Sequence, residues 1–291
     1  MNSLPMVDVL MPAYNHENFV EAAVESVLCQ SYPNVRLITV DDCSTDNTAR
    51  ILRGYAERFP QKVIFTQNTL NMGIPATWNK CLRRSSAEFV VPFASDDLLP
   101  PAAVEARVRF MLENPDVDVL VTDFLVAGPD GVPVDEEAKL RLTPQFRRMY
   151  TANWSQIYEE LLAGNFICGD AVTIRLGRVR RDELLQDPRC PNLSDYDMWL
   201  RLGLRFRWEY IPVKTCVYRW HGLNRSSPAN PHNTKEIVWT QMIYILSKQL
   251  LSDQTDLQRE LTISMINQLT VLLYQLLKER TATVIFTLQT G

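Results

Sequence analysis

The chain has 291 residues, is 46% hydrophobic and 22% charged, and sets 30 Lys and Arg against 34 Asp and Glu for a formal net charge of −4. This composition excludes a disordered chain, a collagen-like chain and a small disulfide scaffold. Mild acidity argues against nucleic acid as a partner, because phosphate backbones call for clustered Lys and Arg. The six cysteines form no CxxC pair, so neither a zinc site nor a redox motif is written, and they read as free, mostly buried thiols. No apolar run of about 18 residues is present to span a bilayer. The N-terminus, MNSLPMVDVLMPAYN, has no basic stretch and only a short apolar run, so it reads as no secretory signal and the protein as cytoplasmic.

The first half alternates short apolar runs with helical spacing. Val7 to Met11 reads as a strand ending at Pro12, and Glu17 to Gln30 as a helix with Val20, Val24, Val27 and Leu28 on one face. Val35 to Val40 is a second strand, ending in Asp41-Asp42. A helix follows with Ile51, Leu52, Tyr55 and Phe59 as its stripe and Ser44 or Asp46 as its cap. Lys62 to Gln67 is strand three. Ile74 to Arg84 is a helix that tolerates Pro75 in its first turn. Glu88 to Phe93 is strand four, stopped by Ala94-Ser95-Asp96-Asp97. Pro101 to Asn114 is a helix and Val117 to Leu125 a long strand.

Strand and helix in turn predict an α/β fold with a mostly parallel, doubly wound sheet flanked by helices. Ligands bind such sheets outside the carboxyl ends of the strands. Three of those ends are polar: Pro12 to Asn15, Asp41-Asp42 and Ser95 to Asp97.

Beyond Gly128 the pattern loosens. Gly128 to Thr143 reads as a loop, Ser155 to Leu162 as a helix, Asp195 to Gly203 as a short helix, and Arg205 to Val217 as two short strands broken at Pro212. Arg219 to Asn233 is a polar loop that suggests a boundary near residue 230, with a helical extension over 231–291.

No GxGxxG, GxxxxGK[ST] or GxSxG run occurs, so a dinucleotide site, a P-loop and a hydrolase elbow lack support. Two readings of Asp96-Asp97 stand at this point. Asp96 caps the next helix and Asp97 is solvated, or the pair binds a hard divalent cation, Mg²⁺ or Mn²⁺, shared with substrate phosphates.

The order of these clusters resembles that of inverting glycosyltransferases of family 2, with their nucleotide-sugar-binding GT-A fold. The resemblance covers roughly residues 6 to 227. It implies a nucleotide-binding segment at Pro12, Ala13, Tyr14 and Asn15. It makes Asp42 a hydrogen-bond acceptor for the base, against its other reading as a turn residue. Asn71, Gly73 and Asn79, in NMGI and WNK, would close over the nucleotide, and Gly73 would adopt a positive φ. Asn79 is otherwise a polar residue on a helix surface.

In PFASDDLLP the resemblance implies Asp96 as a ribose or metal-adjacent carboxylate and Asp97 as a metal ligand, with Ala94 in the family's first acidic place. In SDYDMWLRL it implies Asp195 as the catalytic base, ahead of Asp197, with Ser194 in the place of the usual Glu and Asp195 also suited to a helix N-cap. In YRWHGLNRSS it implies that Arg219 and His221 face a diphosphate, with His221 a further metal ligand and Arg225 and Ser226 closing over phosphate oxygens. Cys43 stands where the family usually has Gly.

The expected reaction is metal-assisted single displacement from a UDP- or dTDP-linked sugar to a hydroxyl of a glycan or lipid-linked acceptor. Thr122 to Phe124 and Gly164 to Phe166 would line donor sugar and acceptor, and the 128–143 loop would set specificity. A nucleotidyltransferase and a degenerate, binding-only protein are the alternatives. For the C-terminal helices, packing on the catalytic domain, a homodimer seam and a peripheral membrane contact on the inner face all stand. Their mixed charges favour the first two.

Overall fold

The computed structural model describes residues 4–222, 224, 234–252 and 254–290, with side chains to residue 278. Its centre is a seven-stranded sheet in the order β3-β2-β1-β4-β6-β5-β7. The strands are β1 (Val7–Ala13), β2 (Val35–Asp41), β3 (Val63–Gln67), β4 (Phe89–Pro92), β5 (Val119–Ala127), β6 (Val172–Arg175) and β7 (Trp208–Arg219). β1, β2, β3 and β4 pair in parallel, as do β5 and β7, while β6 runs antiparallel between β4 and β5. The sheet is therefore mostly parallel, as the alternation predicts.

β1 is apolar on both faces because a central strand of a parallel sheet is covered on both sides. Val7, Val9, Leu10 and Met11 are all buried. α1 (Val20–Leu28), α2 (Thr48–Arg58), α3 (Ile74–Arg84) and α4 (Ala103–Glu113) supply the cover. α1 buries Val20, Ala23, Val24 and Val27, the three-and-four spacing of one helix face. Ahead of α2, Asp46 Oδ1 accepts from Thr48 N at 2.9 Å, whereas Ser44 turns back to Asp41. Pro75 sits in the first turn of α3, where its missing N–H has no partner to lose.

The second half corrects two expectations and adds a strand. The 128–143 segment contains a helix, α5 (Glu136–Leu142), capped by Asp135, which accepts from Ala138 N at 2.7 Å. An N-cap aspartate among other acids reads as loop composition, so the cap was hidden. The stretch around Pro212 is one strand, β7, whose pairing with β5 jumps from Thr122↔Ile211 to Asp123↔Lys214. Proline has no N–H for the ladder, and the edge strand absorbs it as a local irregularity. β6 was not foreseen at all, since four residues are too few to show a period.

α6 (Ile157–Leu161) and α7 (Ser194–Gly203) follow, then α8 (Lys235–Gln249) and α9 (Asp256–Thr290). α8 packs on the main body. Lys248 Nζ lies 3.0 Å from Asp187 and 2.7 Å from Asp197, and Tyr244 donates to Asp187 at 3.0 Å. α9 reaches α6, where Thr262 Oγ1 lies 2.8 Å from the Tyr158 hydroxyl. No helix among the described residues is long and apolar enough to cross a membrane.

Candidate active site

The carboxyl ends of β1, β2 and β4 gather the polar runs on one side of the sheet. Asp42 N donates to Ala13 O at 2.8 Å, which joins the first two runs. Asn15 has φ +51°, and its Oδ1 accepts from Thr45 N at 2.8 Å, so its side chain ties the loop after β1 to the loop after β2. Ala13 is buried, Pro12 is half-buried, and Tyr14 is exposed at the rim.

Asp42 is buried and fully engaged. Its oxygens accept from Met72 N and Gly73 N, each at 2.8 Å, and from Asn68 Nδ2 at 2.8 Å. The carboxylate thus folds the Asn71–Gly73 turn onto the end of β2. Gly73 has φ +80°, as expected of it, and Asn71 Oδ1 accepts from Gly73 N at 3.2 Å. Cys43 also has a positive φ, +62°, with a side chain attached.

Asn79 lies on α3 and is buried. Its amide donates to Gln186 O and accepts from Gln186 N, both at 2.8 Å. It is buried rather than on the helix surface, and in the structure it clamps α3 to the segment before α7.

Asp96 and Asp97 follow β4 and are both buried. A two-way backbone bridge between Leu98 and Val217, at 3.1 and 2.8 Å, zips this run to β7 and so brings Arg219 alongside. Arg219 N donates to Asp97 Oδ1 at 2.8 Å. The Arg219 guanidinium donates to the backbone oxygens of Asp96 and Phe19 and lies over the Phe19 ring at 5.1 Å. Arg219 therefore holds the acidic run in place from within, and its burial pulls its pKa down. This differs from the expected outward role toward a diphosphate.

His221 Nε2 lies 3.0 Å from Asp96 Oδ2, and its ring stacks on Phe19 with centroids 4.5 Å apart. His16, unremarked in the sequence, bonds Ser95 through Nδ1 at 2.7 Å and places Nε2 3.9 Å from the same Asp96 oxygen. Burial alone would raise the Asp96 pKa. The His221 hydrogen bond and the nearby His16 overcome it and hold the carboxyl below its ordinary value. Arg225 and Ser226 lie outside the described residues.

Asp97 is the opposite case. Burial, then the neighbouring Asp170 and Asp96 carboxyls, push its pKa well above the carboxylate range. Asp170 comes from the turn Gly169–Ala171 before β6 and is itself pushed up to about 6, by burial first. A lone Asp in FICGDAV carries no motif, so sequence reasoning passed it over.

Asp195 lies half-buried in the first turn of α7. Its Oδ2 accepts from Asn165 Nδ2 at 3.0 Å, and its Oδ1 from Tyr196 N at 2.8 Å. It is not the N-cap of α7, which is Leu193. Asp197, the competing acid, is buried between Lys248 and Arg201, at 2.7 and 3.3 Å. Ser194 is buried and donates to Gln186 Oε1 at 2.8 Å. Among the described residues, no three His, Cys, Asp or Glu side chains already converge as a metal shell.

Asp123 is buried on β5, where Lys139 Nζ and the Tyr150 hydroxyl reach its Oδ1, each at 2.9 Å. Helix α5, missed in the sequence, is what delivers Lys139.

The profile of glycosyl transferase family 2 matches residues 8–160. TuaG of Bacillus subtilis (strain 168), named for teichuronic acid biosynthesis, is 28% identical over 82% of this chain and 87% of its own. Among solved structures, S. aureus TarS 1–349 in complex with UDP-GlcNAc superposes with a TM-score of 0.67 at 18% identity, over 91% of this chain and 71% of that one. The mannosyltransferase PcManGT from Pyrobaculum calidifontis, in complex with GDP-Man and Mn²⁺, gives 0.60 at 16% identity, over 98% and 81%. These likenesses share the fold, and the family match decides against a nucleotidyltransferase. By the match over more than half its length, the chain belongs to glycosyltransferase family 2 and is a sugar-transferring enzyme.

Proposed function

We propose that this enzyme moves a sugar, with inversion, from a UDP- or dTDP-linked donor to a hydroxyl of a glycan or lipid-linked saccharide. The observation that carries the reading is the placement of the two acids of α7. Asp197 is locked between two cations, whereas Asp195 is half-buried and oriented by Asn165. Inverting transfer is one in-line displacement, and the acceptor hydroxyl becomes nucleophilic only as its proton leaves. Asp195 Oδ2 takes that proton, and the Asn165 amide fixes the direction from which it is taken.

At the other side of the reacting carbon, the chain offers Asp96 and Asp97 on a run held by Arg219, with His221 fixing the ionised form of Asp96. The donor set is the buried carboxylate oxygens of Asp96 and Asp97. Mn²⁺ or Mg²⁺ fits such a set, with Asp97 as ligand and Asp96 beside it. When bound, the cation offsets charge developing on the leaving diphosphate. Asp42 holds the Asn71–Gly73 turn against the end of β2 and gives the nucleotide a rigid wall. The acceptor side is lined by Asn165 and Asp123.

The test is transfer from a panel of nucleotide sugars with Mn²⁺, with the product linkage read by NMR. An α-linked donor gives a β-linked product, and Asp195→Asn lowers transfer by at least about a hundredfold while donor binding stays. Transfer by Asp195→Asn at the wild-type rate, or a retained α linkage, refutes the assignment.

A further inference from the structure

Ala94 leaves a gap in the acidic run, and another part of the chain lies over it. Ala94 N donates to Asp170 Oδ1 at 3.1 Å, so the Asp170 carboxyl rests on the backbone of the very residue that lacks an acid. Its second oxygen, Oδ2, is buried and has no hydrogen-bond partner among the described residues, and the residue is 7% exposed. That carboxyl lies close enough to those of Asp97 and Asp96 for their charges to repel.

Asp170 is held there from behind. Arg107 is fully buried, and its guanidinium donates to Asp170 O at 2.6 Å, to Thr215 Oγ1 at 2.7 Å and to Thr215 O at 3.1 Å. The guanidinium grips the Asp170 backbone and leaves Oδ2 bare. Two buried carboxyls in contact repel unless a proton or a cation stands between them. A pair of carboxylate oxygens is also what a hard divalent cation takes, with water and phosphate oxygens completing its shell.

We propose that Asp170 is a second protein ligand, beside Asp97, for the divalent cation of the donor complex, and that it replaces in space the acid missing at Ala94. The inference rests on the proposed function for the identity of that complex. The alternative is a purely structural Asp170 that caps the Ala94 N–H.

Asn in place of Asp170 keeps an oxygen for Ala94 N and removes the charge, so the two roles part. Mn²⁺ binding is followed by the EPR signal of the free ion, with and without UDP, alongside melting of the metal-free protein. Asp170→Asn weakens Mn²⁺ binding at least about tenfold, since even outer-shell changes reach that size. The double variant Asp170→Ser with Ala94→Asp, compared with Asp170→Ser alone, regains Mn²⁺ binding.

Wild-type Mn²⁺ affinity in Asp170→Asn overturns the proposal, as does a wild type that takes up no Mn²⁺ in either state. If Asp170→Asn does not fold, the two Ser variants decide: no gain of Mn²⁺ binding on adding Asp at position 94 overturns it. A wild type that binds Mn²⁺ but no nucleotide strikes the proposed function instead and leaves the ligand assignment standing.

Discussion

The sheet from β3 to β4 and the sheet from β6 to β7 hold their parts of the site by different means. In the first, strands successive in the chain are joined by single crossover helices, and site geometry comes from the main chain. Asp42 bonds the backbone of Met72 and Gly73, and two residues with positive φ, Asn15 and Cys43, shape the turns. In the second, long buried side chains reach across the chain. Arg107 spans from α4 to the turn before β6 and to β7, and Lys139 spans from α5 to Asp123 on β5. Backbone geometry tolerates many sequences; a buried guanidinium tolerates almost none.

The contrast breaks most directly by removing one polar side chain from each half. Arg107→Met leaves the carbonyls of Asp170 and Thr215 without donors in the core and lowers unfolding stability by about 3–5 kcal/mol. Thr39→Val removes only the bond from its hydroxyl to Met11 O and lowers it by about 1 kcal/mol. Chemical denaturation of both variants measures the gap, and equal losses would erase the distinction.

Backbone shape in the first half gives the next effect. Gly73→Ala forces a side chain into a left-handed conformation at φ +80° and lowers stability by about 1–2 kcal/mol. The added Cβ has room, 3.9 Å from its nearest neighbour, so strain alone is at work. Cys43→Gly relieves the same strain and stabilises by under about 1 kcal/mol, since glycine gives back part of the gain as unfolded-chain entropy. Thermal melts that move both variants in the same direction would show that φ does not govern these turns.

The smallest effect sharpens the picture in the second half. Burial opposes ionisation of Asp187, but the bonds from Arg189, Lys248 and Tyr244 hold its pKa well below the usual range. A depressed carboxyl stabilises the fold above its unfolded value of about 4, and the contribution is lost as pH falls below that. Asp187→Asn therefore melts below wild type at pH 7, and the difference narrows on acidification toward pH 3. A difference that grows as pH falls contradicts the clamp.

The same division explains what could be read from residues alone. β1 to β5 and α1 to α4 were legible because hydrophobic periods of two and of three-to-four are local signals. The acids at Asp42, Asp96 and Asp97 stood out because they interrupt those periods at strand ends. Asp170, His16 and Lys139 did not, because each gains its meaning from a partner 76, 79 or 16 positions away. Asn79 and Arg219 were noticed for their motifs, yet both turn inward, to Gln186 and to the carbonyls of the acidic run. A motif names the residue type; the direction of a side chain is set by packing that one sequence does not display.

The contact between Lys248 and Asp197 bears on how this enzyme tolerates rearrangement. Asp197 sits two residues from Asp195 on the same short helix, and half of its charge compensation arrives from α8. Exchanging the final helices for those of a cousin, or trimming them away, would take Lys248 from a buried carboxylate two residues from Asp195 and leave Arg201 to compensate it. The appendage is thus a keystone for α7 rather than an interchangeable cassette, and any transplant has to carry a cation at position 248.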